Sequence, residues 1–417
     1  MKAKTKLSIL PEDIWKIQYI ENKIHQVMKL YNFKEIRTSL LQPYNLLEKT
    51  KSVIDDNEFN TSFLKTKIEI NNNEKFGLRP NGTIAILDSD LVKLAQTVSQ
   101  KVYHLGHEFL KTKNINCSSL LEACVLGMKE TVAETEAIIL GKHILLELGI
   151  HNIKIKLNNY GCPNCRPSYT KALKKYILEN KQDYCYSCRD FLEKTGRLNN
   201  SCYKSNCFSL NQEGPKMVDF LCNNCKKSFS DLQKMLSNLM IKYEIDTGIS
   251  SNFSYYSNTV FQYSVKSSNQ EIILGNGGRY DILVNTILKN TVPAVGFNLD
   301  IDSIKSFLSD NNLYEIKGID FKVLVYSTSD DLEITLLQIL QELHNNSINS
   351  ILGDCCLSPQ QEESIITQEK CSAVIIIDNN LLTQGKVLLK NLARKFETEI
   401  QLSELLSQLE RIKRLLA

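Results

Sequence analysis

Eight cysteines between Cys162 and Cys225 fall into four close pairs. They are Cys162-Pro-Asn-Cys165, Cys185-Tyr-Ser-Cys188, Cys202 with Cys207, and Cys222-Asn-Asn-Cys225. A Cys-x-x-Cys loop turns back on itself, so both thiolates can face one ion, and two such pairs complete a tetrahedral four-cysteine site. The set therefore predicts about two zinc ions per chain. Zn²⁺ suits soft thiolates and needs no redox chemistry. Disulfides and an iron–sulfur cluster are the alternatives; a chain this long has no need of disulfide staples. A shell of cysteines alone leaves no open position for a reactive water, so the expected role is structural: to hold together an insertion with little apolar core of its own.

The elements around this block must come from a protein of ordinary globular composition. Of 417 residues, 42% are hydrophobic and 23% charged, enough for two or three domains with real cores. A net charge of +3 argues against a broad nucleic-acid footprint. There is no apolar run near the length of a membrane span, and the basic start Met1–Lys6 leads to Glu12 and Asp13 rather than to an apolar stretch. Thirteen cysteines without a secretion signal point to a reducing, cytoplasmic setting.

Ile17, Ile20, Ile24, Val27 and Tyr31 recur at helical spacing across Asp13–Tyr31. Val102–Leu110 and Ile153–Leu157 alternate as strands, and Thr131–Leu148 reads as a helix. Within the cysteine block, Tyr169–Glu179 and Ser228–Tyr243 read as helices. After it, Tyr255–Val265 and Glu271–Leu274 read as paired strands, followed by a glycine-rich turn over Gly275–Asp281. From Phe321 the order becomes β-α-β-α-β, a small α/β domain ending in a helix from Leu402. The expected divisions are 1–160 and 233–312 for a split core, 161–232 for the cysteine insertion, and 320–417 for the last domain, with Leu313–Ile319 as linker.

Several stretches, in this order, resemble the histidyl-tRNA synthetase family of class II aminoacyl-tRNA synthetases. They are Ile9–Asp13, Phe33–Thr38, Leu78-Arg79-Pro80-Asn81-Gly82-Thr83, Gly161–Arg166, Tyr255-Tyr256 with Thr259–Phe261, Gly277–Asp281, Ala294–Phe297 and Gln384–Leu392. The resemblance covers essentially the whole chain. It implies an α+β fold with an antiparallel sheet flanked by helices, the cysteine insertion, a C-terminal α/β anticodon-binding-like domain, and a homodimer built around the first helix and Glu35–Pro43. It also implies ligand-binding positions at Arg79, Thr83, Tyr255, Tyr256, Gly277, Gly278, Arg279 and Tyr280.

The departures fall on charge. Joining a carboxylate to the α-phosphate of ATP builds negative charge that fixed cations, usually Arg and Mg²⁺, must meet. Where the family's second motif carries Arg, this chain has Leu110, and the loop read over Asn114–Cys124 holds no Arg. Asp302-Ser303-Ile304 stands for Glu-Arg-Leu, Ser251–Ser254 for a segment that normally supplies Arg, and Asn81 for the Glu that would contact the amino group of histidine. In the last domain Pro359–Ser364 is acidic where the family is Lys-rich, while Lys386, Lys390, Arg394 and Lys395 read as a solvated face.

These residues predict a synthetase-like protein without adenylation, and no residue is assigned a catalytic role. The expected activity is regulatory or binding: the regulatory subunit of ATP phosphoribosyltransferase in histidine biosynthesis is one such relative, with the transferase as protein partner and a histidine-like small molecule as ligand. The alternatives are an active histidine–tRNA ligase, which would need ATP and Mg²⁺, and a tRNA-binding or amino-acid-sensing module.

Overall fold

The computed structural model describes residues 10–51, 68–70, 74–79, 82–87, 90–111, 115–129, 131–195, 202, 204–249, 256–267, 270–289, 292–314 and 321–416. Tyr255, Asn81, Ser251 and the expected linker from Glu315 onward lie outside them. The chain divides into two compact units, one ending at Tyr314 and one starting at Glu315.

The first unit is built on strands β1 (Lys34–Glu35), β2 (Leu41–Pro43), β3 (Ile68–Ile70), β4 (Glu74–Leu78), β5 (Gln100–Lys111), β6 (Ile115–Leu126), β7 (Ile153–Asn159), β8 (Glu244–Ile245), β9 (Ser257–Ser267), β10 (Gln270–Arg279) and β11 (Ala294–Asp300). Eight of them form one sheet in the order β1-β5-β6-β11-β10-β9-β7-β8, antiparallel except at the outer pairs β1–β5 and β7–β8. The remaining three form a small sheet, β2-β4-β3. The large sheet thus takes strands from both sides of the cysteine block.

Strand side chains alternate between faces. One face carries Leu121, Ala123 and Val125 of β6, Val295, Phe297 and Leu299 of β11, and Phe261, Tyr263 and Val265 of β9, all buried in the main core. The helices Pro11–Leu30, Val132–Glu147, Asn223–Asn238 and Ile301–Asp310 contribute to that core. In the first of these, Ile17, Ile20, Ile24 and Val27 are buried, as their spacing requires.

Two sequence expectations are corrected here. Gly275–Arg279 is the end of β10, not a turn. Its glycines serve close packing rather than a left-handed backbone. Gly275, Gly277 and Gly278 are absent from the positive-φ glycines, and a Cβ at Gly277 would lie in the Phe261 ring and 2.7 Å from the Gly296 carbonyl oxygen. Likewise Ile115–Cys124, read as part of a loop, is strand β6, paired along β5 as far as Lys111 opposite Ile115. Apolar side chains at Leu121, Ala123 and Val125 hold it in the sheet.

The second unit has strands β12 (Lys322–Ser327), β13 (Asn349–Leu352), β14 (Ala373–Ile377), β15 (Lys386–Asn391) and β16 (Phe396–Gln401), ordered β13-β12-β14-β15-β16. β12 is parallel to both neighbours; β15 and β16 form an antiparallel hairpin. One sheet face packs on the helices Glu333–Asn345 and Leu405–Leu416, the other on Pro359–Glu369. Only the hairpin departs from the β-α-β-α-β order expected.

Candidate functional site

The second face of the large sheet is polar along one row. His104 lies opposite Glu122, Glu122 opposite Asn298, Asn298 opposite Asn276, Asn276 opposite Gln262, and Gln262 opposite Lys156. The row crosses six strands. Gln262 Nε2 donates to Asn276 Oδ1 at 2.9 Å, and the Asn276 amide donates to Asn298 Oδ1 at 3.2 Å. Toward β1 the chain adds Glu108 from β5, and β11 ends in Asp300.

Glu122 is the hub. Its carboxylate accepts from the backbone amides of Gly82 and Thr83 and from Thr83 Oγ1, and so satisfies orphan donors at the start of the short helix Gly82–Leu87. Burial raises its pKa, and those hydrogen bonds work against the rise. Glu108 is pushed up to about 8 by burial and by the charges of Glu122 and Asp300, so it is mostly neutral at pH 7. Burial lowers the pKa of His104 and of Arg79. His104 Nδ1 donates to the Ile36 carbonyl at 3.0 Å, which makes Nε2 the bare acceptor, and that atom has no hydrogen-bond partner among the described residues.

The expected ligand-binding residues take these places. Thr83 is tied to Glu122. Arg79 is buried, and its Nη1 donates to the Thr38 carbonyl at 3.2 Å and to the Thr38 hydroxyl. Arg279 is fully enclosed, with Nε 2.7 Å from Glu134 and Nη1 3.1 Å from Asp281. Tyr256 and Tyr280 are buried edge-to-face, their rings 6.4 Å apart, and a Cβ on Gly278 would press on Tyr256. Gly277 and Gly278 are packing positions as described. Ser303, standing where a cation was expected, donates to Asp300, and Asp302, standing for a Glu, accepts from the Ser119 amide.

Sequence reasoning missed His104, Glu108, Glu122 and Asp300. The available signal was alternation: His104, Gly106 and Glu108 are two residues apart in a strand, and Glu122 is a lone acid inside the apolar run Leu120–Leu126.

The cysteines resolve into two groups in a nested arrangement. The outer pairs share one, Cys162, Cys165, Cys222 and Cys225; the inner pairs share the other, Cys185, Cys188, Cys202 and Cys207. Tetrahedral Zn–S bonds of about 2.3 Å imply sulfurs about 3.8 Å apart. In the outer group Cys162–Cys165, Cys162–Cys222 and Cys165–Cys225 are 3.6, 3.9 and 3.8 Å apart, and in the inner group Cys185–Cys202 is 4.0 Å. The residues fit the ion. Backbone amides also point at sulfur, Cys222 at Cys165 (3.1 Å) and Cys185 at Cys207 (3.3 Å), which favours thiolates. Amides at Cys188 and Cys225 draw the Cys185 and Cys222 thiols down to about 7. Apolar support is thin: Met217 and Leu221 beside the outer group, Tyr184, Ile177 and Leu210 beside the inner.

The outer group touches the wall of the polar face. Arg166 Nη2 donates to the Tyr256 carbonyl at 2.8 Å, and the Asn258 amide donates to the Gly161 carbonyl at 3.2 Å. Asn258, in the left-handed region at φ 54°, presents Oδ1 3.5 Å from Cys225 Sγ.

The sheet thus has long helices over one face, and a second face that is polar along its middle row and covered at one end by the shorter helices Tyr44–Lys51, Gly82–Leu87 and Asp281–Leu288; this is the fold seen in class II aminoacyl-tRNA synthetases. Solved structures share it: apo histidyl-tRNA synthetase of S. aureus superposes with a TM-score of 0.77 at 22% identity over 98% of both chains. A structure described as an ATP phosphoribosyltransferase regulatory subunit/histidyl-tRNA synthetase, from Bacillus halodurans, gives 0.64 at 17% identity over 90% of this chain and 97% of that one. By sequence the chain is similar to histidyl-tRNA synthetases. Their family model matches residues 216–304. The histidine–tRNA ligase of Caldicellulosiruptor bescii is 25% identical over 96% of each chain, and that of Halothermothrix orenii 26% identical over 97% of each.

Proposed function

We propose that this chain is a histidyl-tRNA synthetase-like protein that binds a small molecule without adenylating it, and that it acts as a regulatory or binding subunit. The observation that carries this reading is the charge of the polar face. Glu122 and Asp300 stand there beside a mostly neutral Glu108, Arg79 is enclosed, and Arg279 is held by Glu134 and Asp281. ATP brings negative charge to such a face, and the transition state adds more. Losing one preorganised donor typically costs roughly 3 kcal/mol of stabilisation. The ligand this face suits is uncharged or cationic, such as an imidazole compound. A phosphoribosyltransferase is one candidate partner, by analogy with the Bacillus halodurans protein.

The second reading is a working histidine–tRNA ligase using ATP and Mg²⁺, favoured by the near full-length match to proteins of that name. The second unit gives tRNA little. Lys390 lies 2.9 Å from Glu362 and 3.4 Å from Glu397, and Lys386 lies 3.1 Å from Glu399, so carboxylates offset the lysines.

Pyrophosphate exchange with histidine and ATP separates the two. No exchange above background is expected, with calorimetric heat from histidine, histidinol or imidazole. Robust exchange would establish the ligase reading, and silence in both assays would remove the ligand-binding claim.

A further inference from the structure

The second unit holds a sulfur pair unlike the eight cysteines of the insertion. Cys355 and Cys356 are adjacent in sequence, yet their sulfurs lie 3.1 Å apart. Successive side chains of an extended chain point to opposite sides. Here they converge because Cys356 takes φ 56°, a left-handed conformation uncommon for a residue with a Cβ. The conformation is pinned: the Cys356 amide donates to the Ser327 carbonyl at 2.8 Å, and its thiol to the Thr328 carbonyl at 3.0 Å. Backbone held in a sparsely populated region is a reason to look for function.

A third donor completes the group. The two sulfurs and an Asp330 oxygen all lie within 4.8 Å of one another. Asp330 opens the short helical turn after β12, and the cysteines follow β13. These strands are parallel neighbours, so the three donors gather at their carboxyl ends, where open α/β sheets commonly take ligands.

We propose that Cys355, Cys356 and Asp330 form a third metal site, for a thiophilic divalent cation such as Zn²⁺ or Cd²⁺. Two thiolates select a borderline or soft ion, and a carboxylate suits Zn²⁺ as well. Binding displaces the thiol protons to solvent, and the sulfurs part from 3.1 Å to roughly 3.8 Å for a tetrahedral ion. With three protein donors the ion keeps an open position, and Cys356 is exposed. The site therefore exchanges its metal, unlike the closed four-cysteine groups.

The test uses the full chain, equilibrated with micromolar Zn²⁺ and freed of loose ion by gel filtration. Elemental analysis should find about one equivalent more in the native protein than in a C355S/C356S double variant. D330N should retain less of that ion than the native chain. Brief chelation should remove it first, and Zn²⁺ should slow modification of the two thiols by a disulfide reagent, located by peptide mapping. Equal metal content in native and double-variant proteins, with modification rates indifferent to Zn²⁺, would overturn the assignment. So would a peptide map showing the pair already joined as a disulfide in protein prepared under reductant.

Discussion

Glu122 is a buried carboxylate whose partners are all donors on one short helix, and that makes its contribution measurable. Replacing it with Ala leaves the Gly82 and Thr83 amides and the Thr83 hydroxyl without their acceptor. Glu122→Ala is expected to destabilise the protein by about 2–3 kcal/mol in urea unfolding, and Glu122→Gln by less, because an amide oxygen can still accept. Glu108 behaves in the opposite sense. Its folded pKa of about 8 lies above the ordinary value of 4.5. The fold therefore favours its neutral form, a contribution complete below pH 4.5 that is lost as pH rises toward 8. Stability should fall across that window, and Glu108→Gln should flatten the fall; an unchanged slope in the variant would show that Glu108 is not the group titrating. Neither acid stood out in the sequence as a site residue. The cysteine pairs did, because spacing alone brings two sulfurs together, whereas Glu108 and Glu122 come onto one sheet face only through the pairing of two strands.

At the scale of elements, the two cysteine groups are not equivalent. The outer one is stitched to β9 through Arg166, Gly161 and Asn258, while the inner one packs on Tyr184, Ile177 and Leu210. A Cys165→Ser/Cys225→Ser variant should therefore accelerate hydrogen exchange in β9 and around Tyr256. Cys188→Ser/Cys207→Ser should accelerate it only within the insertion. Equal patterns for the two variants would contradict the stitching. The sequence made the long helices and β7 legible, since their periods are set by burial on one face. It misled at Gly275–Arg279, where glycine-rich composition suggests a turn but the need was close approach of Phe261. It misled again at Ile115–Cys124, where a family's loop was expected in a segment that the apolar face of the sheet claims as strand. The β15–β16 hairpin escaped because its alternation, buried at Val387, Leu389 and Asn391, is interleaved with lysines that read as surface.

For the whole molecule, the helix Pro11–Leu30 buries one side in the core yet leaves Ile14, Trp15 and Leu30 substantially exposed, as is Leu10 just before it, with Trp15 edge-on to Tyr314 at 5.1 Å. Apolar surface exposed on this helix is what a two-fold contact between copies of the chain would cover, and a homodimer is the expected result of light scattering at micromolar concentration. A monomer there would count against it. No helix among the described residues is long and apolar enough to cross a membrane.

The nesting of the cysteine groups also bears on how the sheet assembles. β7 and β9 are neighbours, with Asn159 paired to Thr259, although roughly 100 residues separate them along the chain. Pairing them directly means closing that whole loop. An ion held by Cys162, Cys165, Cys222 and Cys225 would fasten the insertion at its neck and leave only about a third of that length to close. Because closure entropy grows with the logarithm of length, the saving is about 1 kcal/mol, roughly fivefold in the rate of a closure-limited step. Metal arriving early would thus make a long insertion kinetically short, and an unmetallated chain would linger with its β9 edge exposed.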